Sequence, residues 1–172
     1  HAVGLIPGGI FGENDNFNLE DAPMLPALIR RFHEARGHDG PVEIWGDGTP
    51  RREYTYSRDI ARIFLWALDH YDEPGCLNIG STEEHTVAEI AGMIADLMGV
   101  DRTRIRFDPS RPGGVPSRST DNGRFLALSG FEYTPFRVGL ERTVAWYLET
   151  AERHPERLRT YAKGRGLAGA VR

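Results

Sequence analysis

The sequence predicts a mixed α/β fold of short strands and about five helices, and three observations predict it. Strand-like and helix-like apolar patterns alternate at short spacing along the chain. Several helical stretches carry their own start and stop signals. The length of 172 residues, with 40% hydrophobic content, is enough to bury one sizeable core, and a single domain is the prior.

In chain order, HAVGLIPGG opens with an apolar run that reads as a strand stopping at Pro7. Only His1 leads into it, as in a chain that begins inside a larger protein. PMLPALIRRFHEA is a helix with Leu25, Leu28, Ile29 and Phe32 on one face. VEIW is a strand, GDGTP a turn and REYTY a second strand. Ser57 is placed to cap a helix over DIARIFLWALDHY, with Asp59 in its first turn and a stripe of Ile60, Ile63, Phe64, Ala67 and Leu68. CLNIG reads as a buried strand, and Thr86 and Glu89 have capping-box spacing ahead of a helix that buries Ile90, Ile94, Leu97 and Met98. RIRFD is a strand and DPSRPGGVPSRSTD a polar loop. NGRFLALSG is a short helix stopped by Gly130, VGLERTVAWYLETAERH a long one, and the tail starts helical and then frays.

A formal net charge of −4 argues against nucleic acid or an anionic membrane as the main partner, since both select for a basic surface. Cys76 is the only cysteine and has no partner for an internal disulfide, which fits a reducing, cytoplasmic setting. No run approaches the roughly 20 apolar residues of a membrane span, and no signal segment opens the chain. Six histidines and one cysteine are not spaced as a metal site.

Nearly all the basic residues are arginine, and Lys163 is the only lysine. Three polar groupings stand out: Arg30 and Arg31 with Arg51 and Arg52; Arg111, Arg118 and Asp121; and the PGG turn at residues 7–9. Arginines beside glycine-rich turns suit a diphosphate, because guanidinium pairs bidentately with phosphate oxygens and glycine lets backbone approach closely. A solvated charged surface is the plain alternative for any one of them. Trp45 beside arginines suits stacking on a base, or packing at the edge of the core.

These segments resemble a known family in order and spacing. GIFGENDNF is similar to NLYGPHDNF, LPALIRRFHEA to the same stretch of that family, and WGDGTPRRE to WGxGTPxRE. LNIGSTEEHTVAEIA is similar to LNVGTGxxxTIxELA, and FDPSRPGGVPSRSTD to FDxSKPDGTPRKLLD. The chain thus resembles the C-terminal, substrate-binding part of GDP-L-fucose synthases, extended short-chain dehydrogenases/reductases that convert GDP-4-keto-6-deoxymannose to GDP-fucose with NADPH. The resemblance runs from about residue 3 to about residue 149.

It implies a chain in which the Rossmann half is largely absent: residues 1–12 finish the cofactor-side strand, 13–150 form the nucleotide-sugar-binding domain, and 151–172 are a helical or disordered tail. It makes Arg31, Trp45 and Arg52, with Arg118 and Asp121, the substrate-binding residues. Pro7, Gly8, Gly9 and Ile10 fall beside the nicotinamide end of NADP (or NAD). Asp121 also suits a plain helix N-cap.

No Gly-rich cofactor loop and no Tyr-x-x-x-Lys pair stand in the sequence, so no catalytic residue is expected in this chain, and the chain alone is expected to be inactive. Three departures narrow the reading. Gly9 replaces the family's Asn, KPDGTP becomes RPGGVP, and Pro23 replaces the histidine that serves as acid in epimerising the sugar. Proline has no titratable group. His33 and His38, at or beyond the far end of the helix, do not obviously replace it. Two functions follow: part of an NAD(P)-dependent nucleotide-sugar reductase or epimerase, homodimeric when complete and tilted by Pro23 towards 4-keto reduction without epimerisation; or a non-catalytic nucleotide-sugar-binding module or partner subunit.

Overall fold

The computed structural model describes residues 2–158. The remainder of the predicted tail, 159–172, lies outside the described residues. Among the described residues, five helices, as the sequence predicts, alternate with eight short strands: β1 (Gly4–Ile6), β2 (Gly9–Phe11), α1 (Met24–Ala35), β3 (Val42–Trp45), β4 (Arg51–Tyr56), α2 (Ser57–His70), β5 (Cys76–Asn78), β6 (Glu84–Thr86), α3 (Val87–Met98), β7 (Ile105–Asp108), β8 (Ser117–Arg118), α4 (Gly123–Ser129) and α5 (Phe136–Arg153).

β4 organises the strands. It pairs with β2 in parallel (Gly9↔Tyr54), with β8 in parallel (Arg52↔Arg118) and with β6 antiparallel (Arg52↔His85). β1 pairs in parallel with β5 and β3 with β7, the latter ending on Trp45↔Asp108. Ladder partners share a face, so Gly9, Tyr54, Arg52 and Arg118 lie on one side of the β4 sheet, while Glu53 and Thr55 lie on the other.

The main core joins the apolar stripes of α1, α3 and α5 to Val42 and Ile44 of β3. Leu25, Leu28, Ile29 and Phe32 are all buried there, as α1's periodicity requires. Thr86 and Glu89 form a reciprocal capping box at the start of α3, and Gly99 ends it in the left-handed conformation (φ 67°). A second, smaller core gathers Ile60, Ile63, Ala67, Leu77, Ile79 and Phe125 between α2, β5 and α4.

The structure corrects four local readings. Ser57 is the first residue of α2 rather than its cap; Tyr56 takes the cap position with no side-chain cap bond. β2, β6 and β8 lie in stretches that carried no strand signal, because two or three residues are too short to show a period. CLNIG is buried only from Leu77 on, with Cys76 exposed at the edge. The α2 stripe is narrower than predicted: Ile60, Ile63 and Ala67 are buried, whereas Phe64 and Leu68 are 48% and 82% exposed. Together with Val3, Leu5 and Tyr71 they line an open apolar groove of about 590 Å³ that no described element covers. No helix among the described residues is long and apolar enough to cross a membrane.

Candidate nucleotide-sugar site

Arg31, Trp45 and Arg52 come together. α1 brings Arg31, the end of β3 brings Trp45, and the outward face of β4 brings Arg52 to one cleft of about 420 Å³. That volume lies within the usual range of small-ligand pockets. The walls are Ala22, Met24, Ala27 and Leu28 on one side, and Ile44, Val87 and the loop Pro112–Gly114 on the other. Glu20 is the one carboxylate among the described lining residues.

Each basic group is held. Arg31 Nη1 donates to the Glu43 carbonyl oxygen (3.0 Å), and its guanidinium carbon is 5.9 Å from the Trp45 ring centroid. Arg52 Nη1 donates to the carbonyl oxygens of Arg51 (2.7 Å) and Val115 (2.8 Å), and Nη2 to that of Gly113 (3.2 Å). Arg52 thus clamps the 113–115 loop against β4. The loop comes close because a Cβ on Gly46 would stand 2.7 Å from the Gly113 Cα, and Gly46 has φ 84°, which favours glycine. Trp45 is 52% exposed, so it is available to a ligand rather than packed into the core.

The other arginines of the predicted groupings work elsewhere. Arg30 bonds Glu34 and the Phe17 carbonyl, and Arg51 pairs with Glu84. Arg118 is the ladder neighbour of Arg52 but does not line the cleft. Asp121 lies in a separate depression of about 330 Å³ with Ser81, Ser119 and Thr120. There its Oδ1 accepts from the Gly123 amide (3.1 Å) at the start of α4. The structure therefore does not bring Asp121 to the three cleft residues.

The segment 7–10 runs beside β4, with Gly9 and Ile10 paired to Tyr54 and Thr55, and does not line the cleft. A Cβ on Gly8 would meet Glu53 Oε1 at 2.2 Å, and one on Gly9 would meet the Tyr54 ring at 2.9 Å. Close packing on β4 is thus one sufficient reason for both glycines. Ile10 is 41% exposed at the end of this edge.

Glu53 was not singled out from the sequence. It is 4% exposed; Oε2 accepts from the Thr120 amide (2.5 Å), and Oε1 is buried with no hydrogen-bond partner. Burial raises its carboxyl above the ordinary 4.5, against the pull of the Thr120 hydrogen bonds. Because the folded value lies above the unfolded one, this group's contribution to stability is full below about pH 4.5 and is lost as pH rises through the folded value. Glu53→Gln is expected to flatten that acid-to-neutral loss in denaturant unfolding. An unchanged pH slope would show that Glu53 carries no such penalty.

Pro23 sits between the cleft-lining Ala22 and Met24, at the cap of α1 (φ −57°, ψ 161°). His33, half-buried, faces Tyr147 (ring centroids 5.2 Å) and does not line the cleft. His38 lines an adjoining, more open depression that shares Leu19, Arg31 and Trp45 with the cleft. Among the described residues no three His, Cys, Asp or Glu side chains are grouped to hold a metal.

The model of the NAD dependent epimerase/dehydratase family matches residues 1–80. A probable GDP-L-fucose synthase from Oryza sativa is 34% identical over 86% of this chain and 45% of its own length. A GDP-L-fucose synthetase from Naegleria fowleri, solved bound to NADP, superposes with a TM-score of 0.82 at 32% identity, over 87% of this chain and 47% of that one. The chain belongs to the GDP-L-fucose synthase branch of this epimerase/dehydratase family. A dTDP-4-dehydro-6-deoxy-D-allose reductase from Streptomyces is also similar, at 34% identity over 82% of this chain and 41% of that protein. The chain spans about half the length of the relatives it matches.

Two residues beside the cleft were not among the substrate contacts that the resemblance implied. Arg111, grouped in the sequence with Arg118 and Asp121, has its guanidinium 5.3 Å from the Trp45 ring centroid. Tyr54, two residues beyond Arg52 on the same face, has its hydroxyl pushed up by burial, with Arg52 and Arg118 pulling the other way. The strand alternation of REYTY was the signal that could have flagged Tyr54. For Arg111 the signal was its place inside the quoted stretch FDPSRPGGVPSRSTD.

Proposed function

We propose that this chain is the substrate-binding portion of an NAD(P)-dependent GDP-sugar reductase or epimerase acting on a GDP-4-keto-6-deoxy-sugar. The convergence of Arg31, Trp45 and Arg52 on one cleft carries the reading. Two anchored guanidiniums offset the charge of a diphosphate, and the aromatic and apolar walls exclude water around it. On this reading residues 1–12 complete the cofactor side and 13–150 hold the nucleotide sugar. The names of the fucose synthases and of the Streptomyces reductase support it; the latter's dTDP-sugar marks nucleotide choice as variable across similar chains.

The cofactor on this reading is NADP. Pro7, Gly8, Gly9 and Ile10 form only its edge, since among the described residues no glycine-rich turn leads from a strand into a helix. Hydride chemistry is what bound NADPH would supply; this chain's part is to hold and orient the sugar nucleotide. The exposed groove of Val3, Leu5, Phe64 and Leu68 is then the surface on which the cofactor half of a complete protein packs. We place that protein in the cytoplasm as a homodimer, with neither nucleic acid nor membrane as partner. Pro23, at the rim of the cleft, moves no proton, which favours reduction of the 4-keto group without inversion at C3 or C5.

The test is to assay the complete protein with NADPH against a panel of keto-sugar nucleotides, reading product stereochemistry by NMR. Reduction with C3 and C5 retained is expected, with no turnover from the 172-residue chain alone. An epimerised product would overturn the role given to Pro23. Binding without turnover in the complete protein would make it a nucleotide-sugar-binding partner instead.

A further inference from the structure

β4 uses both of its faces. Arg52 lines the cleft, and the next residue, Glu53, is buried on the other side, where two sheets meet. The chain passes from the β1–β5 sheet to the β4 sheet twice, once between β1 and β2 and once between β5 and β6.

Polar side chains fasten both crossings. Glu53 Oε2 accepts from the Thr120 amide (2.5 Å), while Oε1 is packed between the crossings: a Cβ on Gly8 would stand 2.2 Å from it, and one on Gly80 2.0 Å. Neither position admits a side chain while Glu53 is in place. Beside it the Ser81 amide donates to Thr55 Oγ1 (2.8 Å), Asn122 Nδ2 donates to the Gly80 carbonyl oxygen (2.6 Å), and the Tyr133 hydroxyl donates to that of Ile79 (3.1 Å). Glu53, Thr55, Ser81 and Asn122 are all buried. Apolar side chains would fill such a junction at lower desolvation cost, whereas a hydrogen-bonded network holds the crossing segments in one arrangement.

We propose that Glu53 is a positioning residue: by tying residues 7–9 and the loop at Thr120 to β4, it fixes the spacing between the phosphate-facing Arg52 and the cofactor edge. Arg52 and Glu53 are consecutive on one strand and face opposite sides, so one short rigid element sets both. A misplacement of about 1 Å between reacting groups costs roughly a hundredfold in rate, which is the error such a tie prevents. This inference rests on the reading of the main cleft as a diphosphate site and of residues 7–10 as the cofactor edge.

Two measurements test it on wild type, Glu53→Ala and the isosteric Glu53→Gln, which keeps an oxygen for the Thr120 amide. In the 172-residue chain, hydrogen exchange read by NMR should accelerate in Glu53→Ala at Thr120 and residues 8–10 by roughly tenfold or more. The amides of Ile90 and Ile94 in the main core should not change, and Glu53→Gln should stay close to wild type. In the complete protein, Glu53→Ala should lower kcat roughly tenfold to a hundredfold with KM for the sugar nucleotide within about twofold of wild type. Glu53→Gln should recover most of the rate. Gly8→Ala, which separates the same contact from the other side, should show the same loss of kcat and serves if Glu53→Ala does not fold. Equal acceleration at Ile90 and Ile94 would reduce Glu53 to a stability role and overturn the proposal. Unchanged exchange at Thr120, unchanged kcat, or a KM that rises as far as kcat falls would overturn it too, leaving the functional reading intact. A wild-type complete protein that turns over no keto-sugar nucleotide defeats that reading itself, and the positioning role falls with it.

Discussion

Arg52→Ala is expected to abolish most nucleotide binding and to loosen the cleft. Its guanidinium is divided among three backbone carbonyls, of Arg51, Gly113 and Val115. A diphosphate entering the cleft offers it stronger, doubly charged acceptors, and a charge-assisted contact contributes about 1.5–3 kcal/mol. The expected loss of GDP affinity is therefore roughly tenfold to a hundredfold. The same substitution releases the 113–115 loop from β4, so hydrogen exchange at these residues should accelerate. Arg52→Lys keeps the charge but cannot span three carbonyls, and should recover affinity only in part. Equal GDP affinity in wild type and Arg52→Ala, measured by calorimetry, would remove Arg52 from the site.

Phe17→Ala is expected to have the largest effect on stability. Phe17 is fully buried in the segment that links β2 to α1; its ring is 4.8 Å from that of Tyr147 and 6.1 Å from that of Trp146 on α5. Its carbonyl also accepts from Arg30 (3.1 Å). Truncating a buried Phe costs about 3–5 kcal/mol, a large share of the roughly 5–15 kcal/mol that holds a typical domain. Denaturant unfolding should show that drop, and a thermal midpoint lower by about 10 °C or more. Because Leu19, Glu20 and Ala22 extend from Phe17 to form a cleft wall, GDP affinity should fall as well. A destabilisation under about 1 kcal/mol would mean that the segment is not anchored by this ring.

The fold was legible where the pattern was long. Stripes of three to four apolar residues named α1 and α3 and their buried faces, because helical periodicity and a capping box are local. Phe64 and Leu68 defeated the same logic on α2. Periodicity reports which face is apolar, not whether anything covers it. β2, β6 and β8 were invisible because two or three residues paired on β4 carry no period of their own.

The candidate site divides the same way. Arg31, Trp45 and Arg52 were named from motifs, and the structure brings them to one cleft. Asp121, which suited a helix N-cap as well, lies in a separate depression and accepts from the Gly123 amide at the start of α4. Glu53 reads in sequence as an ordinary strand carboxylate. Its burial depends on Gly8, Gly80 and Thr120 meeting from distant parts of the chain, which no local pattern encodes. Arg111 gains its place only through β3 and β7 ending side by side.

The central claim is that this cleft binds a nucleoside diphosphate through Arg31, Trp45 and Arg52, and titration of GDP into the wild-type chain, followed by Trp45 fluorescence, tests it most directly. The account predicts saturable binding at one site, with a fluorescence change that disappears in Trp45→Phe and binding that is lost in the Arg31→Ala, Arg52→Ala double variant. No saturable signal up to millimolar GDP, or the same affinity in the double variant, would contradict it.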